Sequence, residues 1–306
     1  DSINVQSTFE KRRDYRDLLF KTPNLNKFIS GVILYDETIR QEDSNKLPLA
    51  KYLADNDIMP GIKVDIGAIP LENNSSEKLT EGLDGLGKRL EEYKVLGASF
   101  TKWRAIITID NEKNLPSNYC IESNSFNLAR YAKIVQDCGL VPIVEPEVIM
   151  DGNHSIDDCY KVTCKTLKSV FSQLELHKVF LGGILLKPNM VISGTLNQNQ
   201  ATVDTVADLT LECLNNCVPK DVPGIVFLSG GQSNKLATEH LNAMNKKANN
   251  LPWNLSFSYG RALQQPSLNK WLGKVDNVKA AQEALFQRSK FNSEATQGNY
   301  NSENEI

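Results

Sequence analysis

With 306 residues, 41% of them hydrophobic and 23% charged, the chain is long enough for one large barrel or two medium domains, and its composition excludes a disordered polymer. A formal net charge of −3 argues against nucleic-acid binding through general charge, and no uncharged apolar run approaches the roughly 18 residues of a membrane span. A cytosolic protein with neither nucleic acid nor membrane as partner is expected.

In chain order, a helical segment at 12–20 precedes a first apolar, β-rich run at 31–35, and a second follows at 61–64. A helix is expected over 77–96, where Gly82, Gly85 and Gly87 serve packing or local irregularity rather than a dinucleotide-binding turn. Strands at 99–108, 141–148, 182–186, 224–229 and 255–259 then alternate with helices at 123–137, 156–176, 202–216 and 235–249. Ser155 and Asp158 resemble a helix N-cap without forming a strict capping box, while Gly97 and Gly139 stop the helices before them. Near-continuous apolar strands separated by amphipathic helices imply a parallel α/β fold.

The expected fold is a (β/α)8 TIM barrel, with the first strand missing from this chain, since only seven strands are found and none precedes the helix at 12–20. Residues 1–290 are expected to form this single, N-terminally incomplete barrel domain, and 291–306 to begin a flexible C-terminal tail.

Ionisable residues gather at the C-terminal ends of the strands, where a barrel builds its site. Lys63 and Asp65 end one, Lys102 and Arg104 lie in the next, Glu145 and Glu147 in the one after, and Lys187 closes another. The i, i+2 spacing of each pair puts both side chains on one strand face. Position alone leaves Lys187 open between a surface lysine at the start of a loop and a nucleophile. A lysine on a rigid strand near Lys102 would have a lowered pKa and a neutral amine able to attack a carbonyl.

Glu145 and Glu147 could equally hold a divalent ion, but the three histidines, His154, His177 and His240, form no close pair. No metal and no cofactor is expected, an oxygen-only Mg²⁺ site being the alternative. His154, in the loop Asp151-Gly152-Asn153-His154, is expected to face solvent. Ser229-Gly230-Gly231-Gln232-Ser233 follows a strand and suits a phosphate cradle, with an ordinary glycine-rich turn as the competing possibility. One strand later, Ser258-Tyr259-Gly260-Arg261 offers a guanidinium that can grip phosphate through two parallel bonds. Trp103 should face the opposite side of its strand from Lys102 and Arg104 and pack against helices. The six cysteines form no C-x-x-C pair and are expected as buried free thiols.

Together, Lys102-Trp103-Arg104, Val144-Glu145-Pro146-Glu147, Leu186-Lys187-Pro188-Asn189, Leu228-Ser229-Gly230-Gly231-Gln232-Ser233 and Phe257-Ser258-Tyr259-Gly260-Arg261 closely resemble the class I fructose-bisphosphate aldolase family along essentially the whole chain. The resemblance implies reversible cleavage of fructose 1,6-bisphosphate to dihydroxyacetone phosphate and glyceraldehyde 3-phosphate by a homotetramer. It implies Lys187 as the Schiff-base lysine and Glu145 as the acid/base of carbinolamine formation and dehydration, with Glu147 and Lys102 tuning the site. It further implies one phosphate site at Ser229, Gly230, Gly231, Ser258, Gly260 and Arg261, with Lys63 near the opposite phosphate and Arg104 among the substrate-binding groups. The family's Ala-Ala-Asp-Glu-Ser motif would precede Asp1 and its terminal tyrosine would follow Ile306, so an incomplete chain is expected. Alternatives are a catalytically silent scaffold, a cytoskeleton-binding relative, or an aldolase preferring another ketose phosphate.

Overall fold

The computed structural model describes residues 3, 5–73, 75–248 and 250–305. Helix α1 (Phe9–Phe20) leads to β1 (Gly31–Leu34), α2 (Asp36–Ile39), α3 (Leu49–Asp55) and β2 (Met59–Lys63). A hairpin of β3 (Gly67–Pro70) and β4 (Lys78–Glu81) precedes α4 (Leu86–Val95), β5 (Phe100–Ile107), α5 (Asn118–Asp137), β6 (Val141–Val148) and α6 (Ile156–Leu176). The remainder is β7 (Leu185–Leu186), α7 (Val203–Cys217), β8 (Gly224–Phe227), α8 (Asn234–Lys247), β9 (Asn254–Phe257), α9 (Arg261–Trp271) and α10 (Val278–Thr296).

Seven strands form one parallel sheet in the order β1, β2, β5, β6, β7, β8, β9. Its two ends do not pair among the described residues, yet Val32 and Leu34 of β1 and Ser256 and Phe257 of β9 line the same cavity. The sheet is therefore curled and incompletely closed, a TIM-barrel-like α/β fold with an open seam where sequence patterning finds no eighth strand. Trp103 is fully buried on the helix side, its ring 5.4 Å from that of Tyr131 on α5, as its alternation with Lys102 and Arg104 requires. All six cysteines are free thiols, four of them buried.

Several local expectations change. The helix expected over 77–96 is half hairpin: Leu79, Leu83, Leu86 and Leu90 repeat at helical spacing, but β4 occupies the first part and the helix starts only at Leu86. Gly82 and Gly85, both at positive φ, make the transition, and Arg89 locks it by donating to the carbonyls of Val64 and Gly82. Ser155 and Asp158 form a full capping box, with Asp158 standing where Glu or Gln is usual. Gly97 and Gly139 do sit at positive φ after their helices. Helix α8 is described to Lys247, and Asn249, its expected end, lies outside the described residues. The boundary expected at 290 falls inside α10, and Tyr300 beyond it is buried, with its hydroxyl donating to Glu305 at 2.8 Å and its N–H to Asn242 at 3.0 Å.

Candidate active site

The β5–β6 pair is the most extensive of the sheet, eight residues in register from Phe100↔Val141 to Ile107↔Val148. Arg104 lies opposite Glu145 in that register, and Lys102 and Glu147 extend the same two inward rows. β7 is only two residues long, and Lys187 follows it, tied by its N–H to the Val144 carbonyl at 2.8 Å. Two short rungs and one backbone bond thus fix the lysine beside β6.

The charged side chains interlock. Lys187 Nζ lies 3.1 Å from Glu145 Oε1, while Lys102 Nζ lies 3.0 Å from Glu145 Oε2 and 3.9 Å from Asp65 Oδ2. Asp65 Oδ1 in turn accepts from Lys63 Nζ at 2.5 Å, and its Oδ2 from the Arg104 N–H at 3.2 Å. Arg104 pairs through its guanidinium with Glu147. Lys102, Asp65, Glu145, Glu147 and Lys187 are all buried, whereas Lys63 and Arg104 are half-exposed.

Burial pushes the Lys187 amine below the ordinary lysine range; Glu145 opposes that shift and the charge on Lys102 adds to it. Burial acts against ionisation of Glu145, but Lys187 and Lys102 together outweigh it and hold the carboxyl below its usual range. Although Oε2 of Glu145 is close to Lys102, their angle makes no hydrogen bond, so this buried oxygen keeps an acceptor position open. The result is a depressed-pKa amine in contact with an ionised carboxylate, the pairing that adds an amine to a carbonyl and moves the protons this requires.

Lys63, Lys102 and Lys187 line one cavity of about 330 Å³ together with Ser258 and Gly260. Ser229, Gly230, Gly231 and Arg261 stand beside it on the neighbouring loops, and Arg261 Nη2 donates to the Gly230 carbonyl at 2.9 Å, so both expected phosphate loops are joined. Gly230 is required twice over: it has φ +58°, and a Cβ there would come within 3.0 Å of Met150 Sδ. Gly231 donates its N–H to that same sulfur at 2.7 Å.

Sequence spacing brought out Asp65 as a strand-end residue but not as the hub between Lys63, Lys102 and Arg104; only the adjacency of β2 and β5 supplies that. Asn189 stood only within a motif, with no role assigned to it. Its Oδ1 accepts from the Val148 N–H at 3.0 Å and its amide donates to Thr163 at 3.1 Å, tying the chain just after Lys187 to the end of β6. His154 corrects the solvent-facing expectation: it is buried, because 194–196 lies across its loop with Gly194, Thr195 and Leu196 N–H groups donating to His154, Met150 and Gly152. Burial holds its pKa below the ordinary value.

A parallel, barrel-like sheet with a buried lysine and carboxylate at the carboxyl ends of its strands defines a Schiff-base class of barrel lyase. Comparison with known proteins gives the family. The model of the glycolytic class-I fructose-bisphosphate aldolases matches residues 1–306. The chain is 52% identical over 299 residues to a probable fructose-bisphosphate aldolase class 1 of Xanthomonas campestris pv. campestris, covering 97% of this chain and 89% of that one. It is 49% identical over 299 residues to the cytosolic fructose-bisphosphate aldolase 6 of Arabidopsis thaliana, covering 98% and 83%. The solved fructose-bisphosphate aldolase of Plasmodium falciparum, in a ternary complex with TRAP and a small-molecule inhibitor, superposes with a TM-score of 0.96 at 48% identity, covering 99% of this chain and 87% of that chain. The chain belongs to the class I fructose-bisphosphate aldolase family.

Proposed function

We propose that the chain cleaves fructose 1,6-bisphosphate reversibly to dihydroxyacetone phosphate and glyceraldehyde 3-phosphate, with Lys187 as the amine that forms the Schiff base. The observation that carries this assignment is the contact between a buried, pKa-depressed Lys187 and Glu145 at 3.1 Å. Lys187 adds to the ketose carbonyl, and Glu145 manages the protons as the carbinolamine loses water to become an imine. As the C4 hydroxyl gives up its proton to a base of the site and becomes the aldehyde, the protonated imine accepts the electron pair of the breaking C3–C4 bond, leaving an enamine in place of a free carbanion. Lys102 and Glu147 set the field around this pair.

Lys63 and Arg104 bind near one end of the substrate, and Ser229, Gly230, Gly231, Ser258, Gly260 and Arg261 hold the phosphate at the other. Helix α9 begins at Arg261 with no side-chain cap, so its first N–H groups are available to the anion. A catalytically silent scaffold is the weaker assignment. Burying Lys187, Lys102, Glu145 and Asp65 together costs several kcal/mol per ion before pairing, roughly, and a scaffold has no chemical use for them. The homotetrameric state and cytosolic location implied by the family belong to the same proposal, and light scattering after size exclusion tests the first. Among the described residues no helix is long and apolar enough to cross a membrane.

Borohydride reduction in the presence of dihydroxyacetone phosphate tests the nucleophile. Peptide mass analysis should find the reduced adduct on Lys187, and Lys187→Met should abolish trapping and lower turnover by orders of magnitude. An adduct on another lysine, or turnover retained in Lys187→Met, would remove Lys187 from the mechanism.

A further inference from the structure

Helices α6 and α7 pack side by side on the outside of the sheet, and their contact contains three thiols that the chemistry above does not use. Cys213 and Cys217 are four residues apart on α7 and so share one helix face. Cys164, on α6, meets that face: its Sγ lies 3.0 Å from Cys213 Sγ, and all three sulfur atoms lie within 4.8 Å of one another. We propose that Cys164, Cys213 and Cys217 form a binding site for a thiophilic d10 cation, Zn²⁺ or Cu⁺, separate from the aldolase chemistry.

The distances suit that class of ion. Sulfurs about 2.3 Å from a common metal lie close to 4 Å apart, which the cluster meets by small side-chain rotations. Three soft ligands match trigonal Cu⁺, or tetrahedral Zn²⁺ with water in the fourth position, and fit hard oxygen-seeking cations poorly. Cys213 and Cys217 are buried while Cys164 is half-exposed, so the site has a dry interior and a route of entry. Hydrogen bonding from Cys213 lowers the Cys217 thiol, with Lys168 adding to the effect, while the same contact and burial raise Cys213. Binding of the ion displaces the thiol protons to solvent. Beside it, the Tyr160 hydroxyl donates to Glu212 at 2.9 Å and accepts from Asn216 at 3.1 Å, closing that side of the helix contact.

The test uses the full chain, stripped with chelator under anaerobic reducing conditions and titrated with Co²⁺ as an optical probe. A near-ultraviolet thiolate-to-cobalt band should saturate at one ion per chain, and added Zn²⁺ or Cu⁺ should bleach it, the stronger competitor identifying the preferred ion. Cys164→Ser, at the half-exposed position, and Cys217→Ala should each weaken binding beyond the roughly 10- to 100-fold that loss of a supporting group costs. Cys138→Ser, outside the cluster, should bind as the parent chain does. Cleavage activity should be the same with the site empty or filled. Absence of the band in a chain whose thiols all titrate as free, a Cys164–Cys213 disulfide in place of metal, or a band that survives both cluster variants would overturn the proposal.

Discussion

The mouth of the sheet and the two glycine loops beside it hold charge in opposite ways. At the mouth, Lys187, Lys102, Glu145 and Asp65 are buried on strands or just past their ends and constrain one another. On the loops, Arg261 is exposed, makes one bond to a backbone carbonyl, and begins a helix. Groups whose protonation must be set before substrate arrives belong to the first kind of setting, where each neighbour shifts the next. Groups that grip an anion belong to the second, where a guanidinium can turn toward its ligand at little cost.

The largest effect should come from uncoupling the mouth. Glu145→Gln removes the proposed proton carrier and should lower kcat about 10²- to 10⁴-fold. It also removes the group that does most to raise the Lys187 pKa, with Glu147 contributing less, so the pH midpoint for imine trapping should move down. Lys102→Met should move that midpoint up, because it deletes a cation that depresses the same amine. Trapping rate against pH for the parent and both variants reads the two opposite signs, and shifts in the same direction would break the assignment of an electrostatically coupled site.

A smaller effect is expected on the loops. Arg261→Lys keeps the charge and loses the planar fork, so kcat/KM for fructose 1,6-bisphosphate should fall about tenfold to a hundredfold, for a lost charged hydrogen bond of roughly 1.5 to 3 kcal/mol. Comparing that loss with the change for fructose 1-phosphate tests which phosphate the proposed arginine contact serves. An unchanged kcat/KM for both sugars would place Arg261 outside the phosphate site. The smallest effect lies away from both regions: Ser155→Ala deletes the α6 capping box and should cost about 1 kcal/mol in urea unfolding, with kcat unchanged.

What could be read from the sequence divides along a related line. Strand-end pairs such as Lys102 and Arg104, or Glu145 and Glu147, declare a shared face through spacing alone, so the inward cluster was legible apart from its partners. Asp65 as a hub, Asn189 as a tie and the burial of His154 depend on strands or loops brought together by the fold, which no local pattern encodes. The β3–β4 hairpin was hidden for another reason: its leucines continue a helical repeat, and two glycines at positive φ decide against it. Cys164 and Cys213 are 49 positions apart in the chain, and only the packing of α6 on α7 makes them neighbours.

Pro146 stands between the two glutamates of β6, and Pro188 follows Lys187. Val144 and Val148 turn their backbone groups toward the Lys187–Asn189 side, so by alternation Pro146 does too, and it has no N–H to offer there. The hydrogen-bonded ladder therefore stops at the Lys187 rung, and Asn189 satisfies the next free donor with its side chain instead of its backbone. The end of the β6–β7 pairing beside Lys187 is thus written into the covalent ring of Pro146, where no change of side-chain contact can extend it.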